Sequence, residues 1–301
     1  MNRTWQDAVL ANGLEPVHIE DVVRRALDED LKYGLDVTTA ATIDPAQRGT
    51  ADVVARIPGT LAGVPLAWAV LDLYAADADA DLEVDVRMSD GDAVEHGSVV
   101  LSVSGPLPVI LTAERTMLNL LCQLSGVATL TAAWQRELAG TDARVRDTRK
   151  TVPGLRELQK YAVRCGGGVN HRMGLGDAAL IKDNHVAAAG SVAAAYRAVR
   201  ERFGSDLPVE VEVDTVAQAG EAIAAGAELI LLDNMAPAQL RECVMMGRDS
   251  GRKVAFEASG GLSLDTAAEV ARTGVDYIAV GALTHSAPVL DLGLDLRGQD
   301  D

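Results

Sequence analysis

Cysteine is scarce in this chain. Cys122, Cys165 and Cys243 are far apart, odd in number and without metal-ligand spacing, which argues against a disulfide framework and a structural zinc site and points to a reducing compartment. Positive charge is also in short supply. Against 44 acidic residues stand 27 Lys and Arg, a formal net charge of -17, so neither nucleic acid nor an anionic membrane is the expected partner. The N-terminus, MNRTWQDAVLANGLEPVHIED, has no apolar leader core, and no apolar run is expected to span a bilayer; the chain reads as complete and cytoplasmic. A Gly-rich dinucleotide turn is missing after every candidate strand. Apolar residues, at 48% of 301, are plentiful enough for one large core and a smaller one, hence two domains.

From about residue 143 short apolar strands alternate with Ala-rich amphipathic helices. The strands are predicted at 143–147, 179–182, 209–213, 229–232, 254–257 and 277–280, and the helices between them at 153–164, 191–203, 216–225, 237–249 and 264–273. Strict alternation implies parallel strands with right-handed crossovers. Polar residues recur just past successive strand ends, which favours an α/β fold of the TIM-like βα-barrel type, complete or incomplete, over a doubly wound sheet. The first part reads as a smaller α+β sandwich domain: a helix near 19–32, strands near 51–56, 82–88 and 99–103, then a helical region at 109–138 interrupted at Ser125 and Gly126. The expected domains are 1–115, with 286–301 as a candidate completing segment, and 116–285. SDGDAVEHGSVVLSVSG is similar to the turn of a biotinyl or lipoyl carrier module, but no lysine occupies its tip, so it is read as architecture.

Chemistry concentrates between Asp147 and Val186. From Arg144 to Arg172 there are eight basic residues (Arg144, Arg146, Arg149, Lys150, Arg156, Lys160, Arg164, Arg172) against Asp147 and Glu157, a cationic segment in an anionic molecule and so a device for capturing an anion. Arg156, Lys160 and Arg164 share a helix side and are read as a solvated face. Arg149, Lys150 and Arg172 lie outside that helix, where side chains converge on ligands. His171, between Asn170 and Arg172 and just after Gly166, Gly167 and Gly168, belongs to a substrate-facing loop, whereas His185 and His285 receive no catalytic role. In VEVEVDT the residues Glu210, Glu212 and Asp214 share one strand face and need cationic partners; Lys182 is the expected partner of Glu210. Glu212 and Asp233, near strand ends, suit ribose hydroxyls or a substrate-bound metal. Ser259, Gly260, Gly261 and Gly281, after the last two strands, suit a phosphate cradle.

The series ERTMLNLLCQLSGVAT, DTRKTVPGLR, GGGVNHRMGLGDAALIKDNH, VEVEVDT, LILLDN, EASGGL and VDYIAVGALTHS resembles, in order, the quinolinate phosphoribosyltransferase family of type II phosphoribosyltransferases. YGLDVTT, at 33–39, departs from the family pattern through the inserted Leu35. The resemblance implies phosphoribosyl transfer from phosphoribosyl diphosphate to quinolinate, with loss of diphosphate and carbon dioxide, giving nicotinate mononucleotide for NAD biosynthesis. It implies that Arg149, Lys150, His171, Arg172 and Lys182 bind the quinolinate carboxylates and the diphosphate. Glu212 and Asp233 would face the ribose and Mg²⁺, the metal being held mainly through the substrate diphosphate, while Ser259, Gly260 and Gly281 would hold the 5′-phosphate. Lys150, Lys182, Glu212 and Asp233 would be the catalytic groups. Arg115 would reach quinolinate from the neighbouring subunit, making the protein a homodimer, or a higher oligomer, with shared active sites. The alternative readings are a related type II transferase acting on another pyridine carboxylate, a molybdate-operon homologue of the same fold, and a non-catalytic phosphometabolite-binding barrel.

Overall fold

The computed structural model describes residues 4–298. The chain divides into two compact units, one within 1–129 and 287–301 and the other at 130–286. The division falls inside a helix, where the sequence reading set it at 115.

The first unit contains, in chain order, α1 (Trp5–Ala11), α2 (Pro16–Leu31), α3 (Val37–Thr42), β1 (Arg48–Ala55), β2 (Gly59–Thr60), α4 (Val64–Asp77), β3 (Glu83–Val86), β4 (Ala93–Val94), β5 (Val99–Pro106) and most of α5 (Leu107–Glu137). Despite the insertion of Leu35, α3 is well capped: the Asp36 carboxylate accepts from Thr38 N at 3.1 Å and Thr39 N at 3.0 Å. The expected interruption of the long helix does not occur. Ser125 instead accepts from Ala62 N at 3.1 Å and donates to Ala62 O at 3.2 Å. Gly126 leaves room for the C-terminal segment, since a Cβ there would lie 2.1 Å from Pro288 O. Glycine inside a helix costs about 1 kcal/mol relative to alanine, and this close approach gives the physical reason for keeping it. By length and composition α5 could cross a membrane, contrary to expectation, but 61% of its apolar stretch is buried within the fold.

The second unit alternates β6 (Arg144–Arg146), α6 (Arg156–Cys165), β7 (Ala179–Ile181), α7 (Asp183–Ala189), α8 (Val192–Phe203), β8 (Val209–Val213), α9 (Val216–Ala225), β9 (Leu229–Asp233), α10 (Pro237–Asp249), β10 (Ala255–Ser259), α11 (Leu264–Ala271), β11 (Tyr277–Ala279) and α12 (Ala282–His285). β12 (Leu292–Leu296) then returns to the first unit and pairs antiparallel with β1, giving a four-stranded sheet of order β12-β1-β5-β3.

The six strands of the second unit are parallel, in the order β6-β11-β10-β9-β8-β7. In a flat sheet β6 and β8 would stand four spacings, or roughly 19 Å, apart. Arg146 of β6 nevertheless approaches Glu210 of β8 to 3.7 Å. Only a sheet rolled about its inner side chains allows that contact, so the unit is a six-stranded βα-barrel. The layer between strands and helices is apolar, with Val145, Val211, Ile230, Phe256 and Ile278 all buried.

Candidate active site

Parallel strands in register deliver side chains to the barrel mouth at fixed heights. Ile181 pairs with Val211, so Lys182, one residue further, stands level with Glu212 and not with the deeper Glu210. The expected Lys182–Glu210 pair is therefore replaced by Lys182 Nζ on Glu212 Oε2 at 2.5 Å. Glu210 takes its partners from elsewhere: His171 Nε2 lies 2.8 Å from its Oε2, and the Arg146 guanidinium lies beside its Oε1.

One cavity of about 250 Å³ at this mouth is lined by Thr148, Arg149, Lys150, His171, Arg172, Leu180, Lys182, Glu212, Leu231, Glu257, Ser259 and Ala279. A second, of about 270 Å³, shares Glu212 and adds Asp183, Asp214 and Asp233. Of the residues singled out from sequence, the first cavity collects Arg149, Lys150, His171, Arg172, Lys182, Glu212 and Ser259, and the second receives Asp233. Arg115 is on α5 in the other unit, with 66% of its side chain exposed.

The two arginines give the first cavity its character. The Nε atoms of both Arg149 and Arg172 are buried without any hydrogen-bond partner. Burial, and then the charge of Arg149, lowers the pKa of Arg172 from its ordinary value. Unsatisfied buried donors on like-charged groups cost roughly 1–3 kcal/mol each, a cost an anionic ligand would relieve.

Lys150 is placed by its neighbours. Thr284 Oγ1 donates to Lys150 O at 2.8 Å, Gln159 Nε2 donates to Thr284 O at 2.7 Å, and Val152 N donates to Gln159 Oε1 at 2.8 Å. These bonds fasten the loop after β6 to α6 and α12. The Lys150 stem then crosses Gly281, where a Cβ would lie 3.0 Å from Lys150 Cδ.

The loop after β10 turns through positive φ at Gly260 (φ 89) and Gly261 (φ 61). A Cβ on Gly260 would lie 2.2 Å from Asn234 Oδ1 and 3.0 Å from Asn234 N. Gly260→Ala is accordingly expected to lower stability by about 1–3 kcal/mol and to push the loop away from Asn234. An unchanged thermal midpoint would show that the loop relaxes without strain.

Beneath the cavity lies a buried layer that the sequence reading missed. Lys160, assigned to a solvated face, is fully buried. Its Nζ is bonded to Asp147 and donates to His171 O at 2.9 Å. Asp147 also accepts from His171 N at 2.9 Å and Asn170 Nδ2 at 2.5 Å, tying the end of β6 to the NHR loop. Helical spacing put Lys160 in line with Arg156 and Arg164, but the Asp147 side chain draws this face of α6 inward. Arg146 and Glu257 were missed as well. An acid inside the apolar strand AFEAS, and an Arg alternating with Val145, were the available signals.

The two groups of acidic side chains differ in their donor sets. Asp183, Glu212, Asp214 and Asp233 around one cavity offer only hard oxygen atoms, which suits Mg²⁺. His171, Glu210 and Glu257 lie within 4.8 Å of one another, but the Arg146 guanidinium, 2.6 Å from Glu257, already supplies the cation there.

Residues 127–295 match the family model for the C-terminal domain of quinolinate phosphoribosyl transferase, and residues 36–125 match that for its N-terminal domain. The chain is 54% identical over 277 residues to the nicotinate-nucleotide pyrophosphorylase (carboxylating) of Mycobacterium leprae (strain TN), covering 92% of this chain and 96% of that one. It is 40% identical to the probable enzyme of that name from Bacillus subtilis (strain 168), with 86% and 87% covered. The solved structure of the nicotinate-nucleotide pyrophosphorylase from Francisella tularensis superposes with a TM-score of 0.89 at 35% identity, covering 99% of this chain and 100% of that one.

Proposed function

Since the chain belongs to the quinolinate phosphoribosyl transferase family, we propose that its barrel mouth houses the family's reaction and that the residues gathered there divide it between them. The protein transfers the phosphoribosyl group of phosphoribosyl diphosphate to quinolinate, releasing diphosphate and carbon dioxide and yielding nicotinate mononucleotide for NAD biosynthesis. The observation that carries the site assignment is the pair of buried, unpartnered guanidinium Nε atoms of Arg149 and Arg172, a match for a ligand with two carboxylates.

In this reading Arg149 and Arg172 hold the quinolinate carboxylates, with His171 forming part of the wall. Ser259, Gly260 and Gly281 take the 5′-phosphate, and Glu212 and Asp233 take the ribose hydroxyls. Lys150 and Lys182 neutralise the departing diphosphate. As the bond from ribose C1 to diphosphate breaks, the carboxylates below the ribose stabilise the positive charge that develops there, and the pyridine nitrogen donates its lone pair to C1. The positive charge of the quaternised nitrogen then stabilises the electron pair left on C2 when the C2–carboxylate bond breaks. Carbon dioxide leaves, and C2 takes up a proton. Glu212 and Asp233 would hold Mg²⁺ together with the substrate, and the ion would supply Lewis-acid stabilisation of the leaving group.

The test is release of diphosphate and carbon dioxide from quinolinate and phosphoribosyl diphosphate, with Mg²⁺ required and nicotinate a poor substitute. Equal turnover of the two pyridines would remove the dicarboxylate assignment, and full activity in chelator would remove the metal. A non-catalytic barrel would bind phosphoribosyl diphosphate and release nothing. Cytoplasmic operation belongs to the same proposal, supported by three cysteines none of which is in a disulfide.

Assembly is part of the proposal too. The exposed side chain of Arg115 suits a residue that serves a second copy of the chain, so a homodimer with shared sites is expected. In a mixed dimer of Arg115→Ala and Lys150→Ala subunits, one site carries both lesions and the other neither. With random mixing, half the dimers are mixed, and co-expression should recover about a quarter of wild-type activity from two nearly inactive parents. Mixed dimers without recovery would place the action of Arg115 within its own chain.

A further inference from the structure

The cluster under the cavity floor has a hydrogen-bonding pattern that the reaction as assigned above does not use. Glu257 is fully buried, and the side chains of Glu210, His171 and Arg146 are 4%, 8% and 14% exposed. Each carboxyl has one oxygen engaged: Arg146 Nη1 donates to Glu257 Oε2 at 2.6 Å, and His171 Nε2 lies 2.8 Å from Glu210 Oε2. The other oxygen of each, Glu210 Oε1 and Glu257 Oε1, is buried with no hydrogen-bond partner.

Two ionised carboxylates sharing one guanidinium would repel each other in a site from which water is largely excluded. A single proton resolves this. Placed on Glu257, it removes one negative charge and turns an orphan acceptor into a donor. The surroundings favour that placement: burial first, and then the negative charge of Glu210, raises the Glu257 pKa to about 8, with Asp147 pushing the same way and Arg146 against. Tyr277 of β11 faces Arg146, 4.9 Å from its guanidinium carbon to the ring centre, and β9 contributes the apolar Leu231.

The consequence travels through His171. While Nε2 faces Glu210, its Nδ1 accepts from the main-chain N–H of Arg172 at 2.7 Å. Both ring nitrogens thus have partners within the protein. What the ring orients is the backbone from which the Arg172 side chain reaches the cavity.

We propose that Arg146, Glu257 and Glu210 are positioning residues for the dicarboxylate pocket: Glu257, held as a neutral carboxyl, anchors Arg146 beside Glu210, Glu210 holds the His171 ring, and the ring fixes Arg172. This rests on the reading of the cavity as the quinolinate site. Arg146 and Glu210 lie behind the cavity lining, to which Glu257 contributes, and the guanidinium takes the place a metal ion would otherwise fill.

The experiment compares Glu257→Leu with Glu257→Gln in the full-length protein. Leucine removes the partner of Arg146. The quinolinate KM should rise about tenfold or more, with the KM for phosphoribosyl diphosphate changed less than about twofold. The ¹⁵N signals of the His171 ring should leave the pattern of an unprotonated Nδ1 and a protonated Nε2. Glutamine keeps a carbonyl oxygen for Arg146 and offers an N–H where the carboxyl proton would be, so it should rescue both readouts. A glutamine variant as impaired as the leucine one would show that an ionised Glu257 is needed and overturn the proposal. So would a leucine variant that shifts both KM values equally or leaves the His171 signals in place. Should the leucine variant not fold, the glutamine variant and wild type still decide: an imidazolium at His171 in wild type at pH 7 overturns the chain. The ring signals need no turnover, so failure of the wild type to use quinolinate would sink the functional reading separately.

Discussion

Alanine at Asp147 is expected to cost about 3–5 kcal/mol of stability, the usual penalty for leaving one partner of a buried ion pair uncompensated. Lys160 and Asp147 are both fully buried. Burial, as the largest influence, lowers the Lys160 pKa from its ordinary value, with Asp147 acting in the opposite sense. Without Asp147 the ammonium keeps only His171 O, and Asn170 Nδ2 and His171 N each lose an acceptor. Urea denaturation monitored by circular dichroism would measure the loss. The paired change Asp147→Leu with Lys160→Met should cost clearly less than the sum of the two single changes, because it removes both buried charges together. Additive costs would show that the two groups are not energetically coupled.

Alanine at Arg172 or Arg149 is expected to raise the dissociation constant of quinolinate about tenfold to a hundredfold, since a charge-assisted contact to a carboxylate is worth roughly 1.5–3 kcal/mol. Stability should barely change. Arg172 donates one hydrogen bond, to Ala178 O at 3.0 Å, and both residues retain buried Nε atoms without partners, so removing either also removes an unsatisfied donor. Calorimetric titration with quinolinate, set beside thermal denaturation, separates the two effects. Unchanged affinity in both variants would show that the carboxylates bind elsewhere.

The ligand-facing groups were legible because exposure at strand ends leaves a local signature. Arg149, Lys150, Arg172 and Ser259 lie past a strand or beside a glycine run and Glu212 one residue before the end of β8, and the structure gathers all five at one cavity. The supporting layer was not legible. Nothing in the spacing of Arg156, Lys160 and Arg164 tells which of three aligned cations faces inward, because that depends on Asp147, thirteen residues upstream of Lys160 in the chain. Arg146 and Glu257 come from strands 111 residues apart in sequence, and their pairing exists only once the sheet is rolled.

The sequence by itself determined the alternation of strands and helices, the parallel sheet, the glycine turns and the identity of the mouth residues. These follow from hydrophobic periodicity and backbone sterics, which act over a few residues at a time. Tertiary structure decided the partners. The step from Ile181 opposite Val211 to Lys182 opposite Glu212 is a matter of strand register, and the approach of the C-terminal segment to Gly126 is a matter of packing. Charge pairing in a desolvated core is settled by which side chains the rolled sheet brings within about 4 Å, and that distance is a property of the fold as a whole.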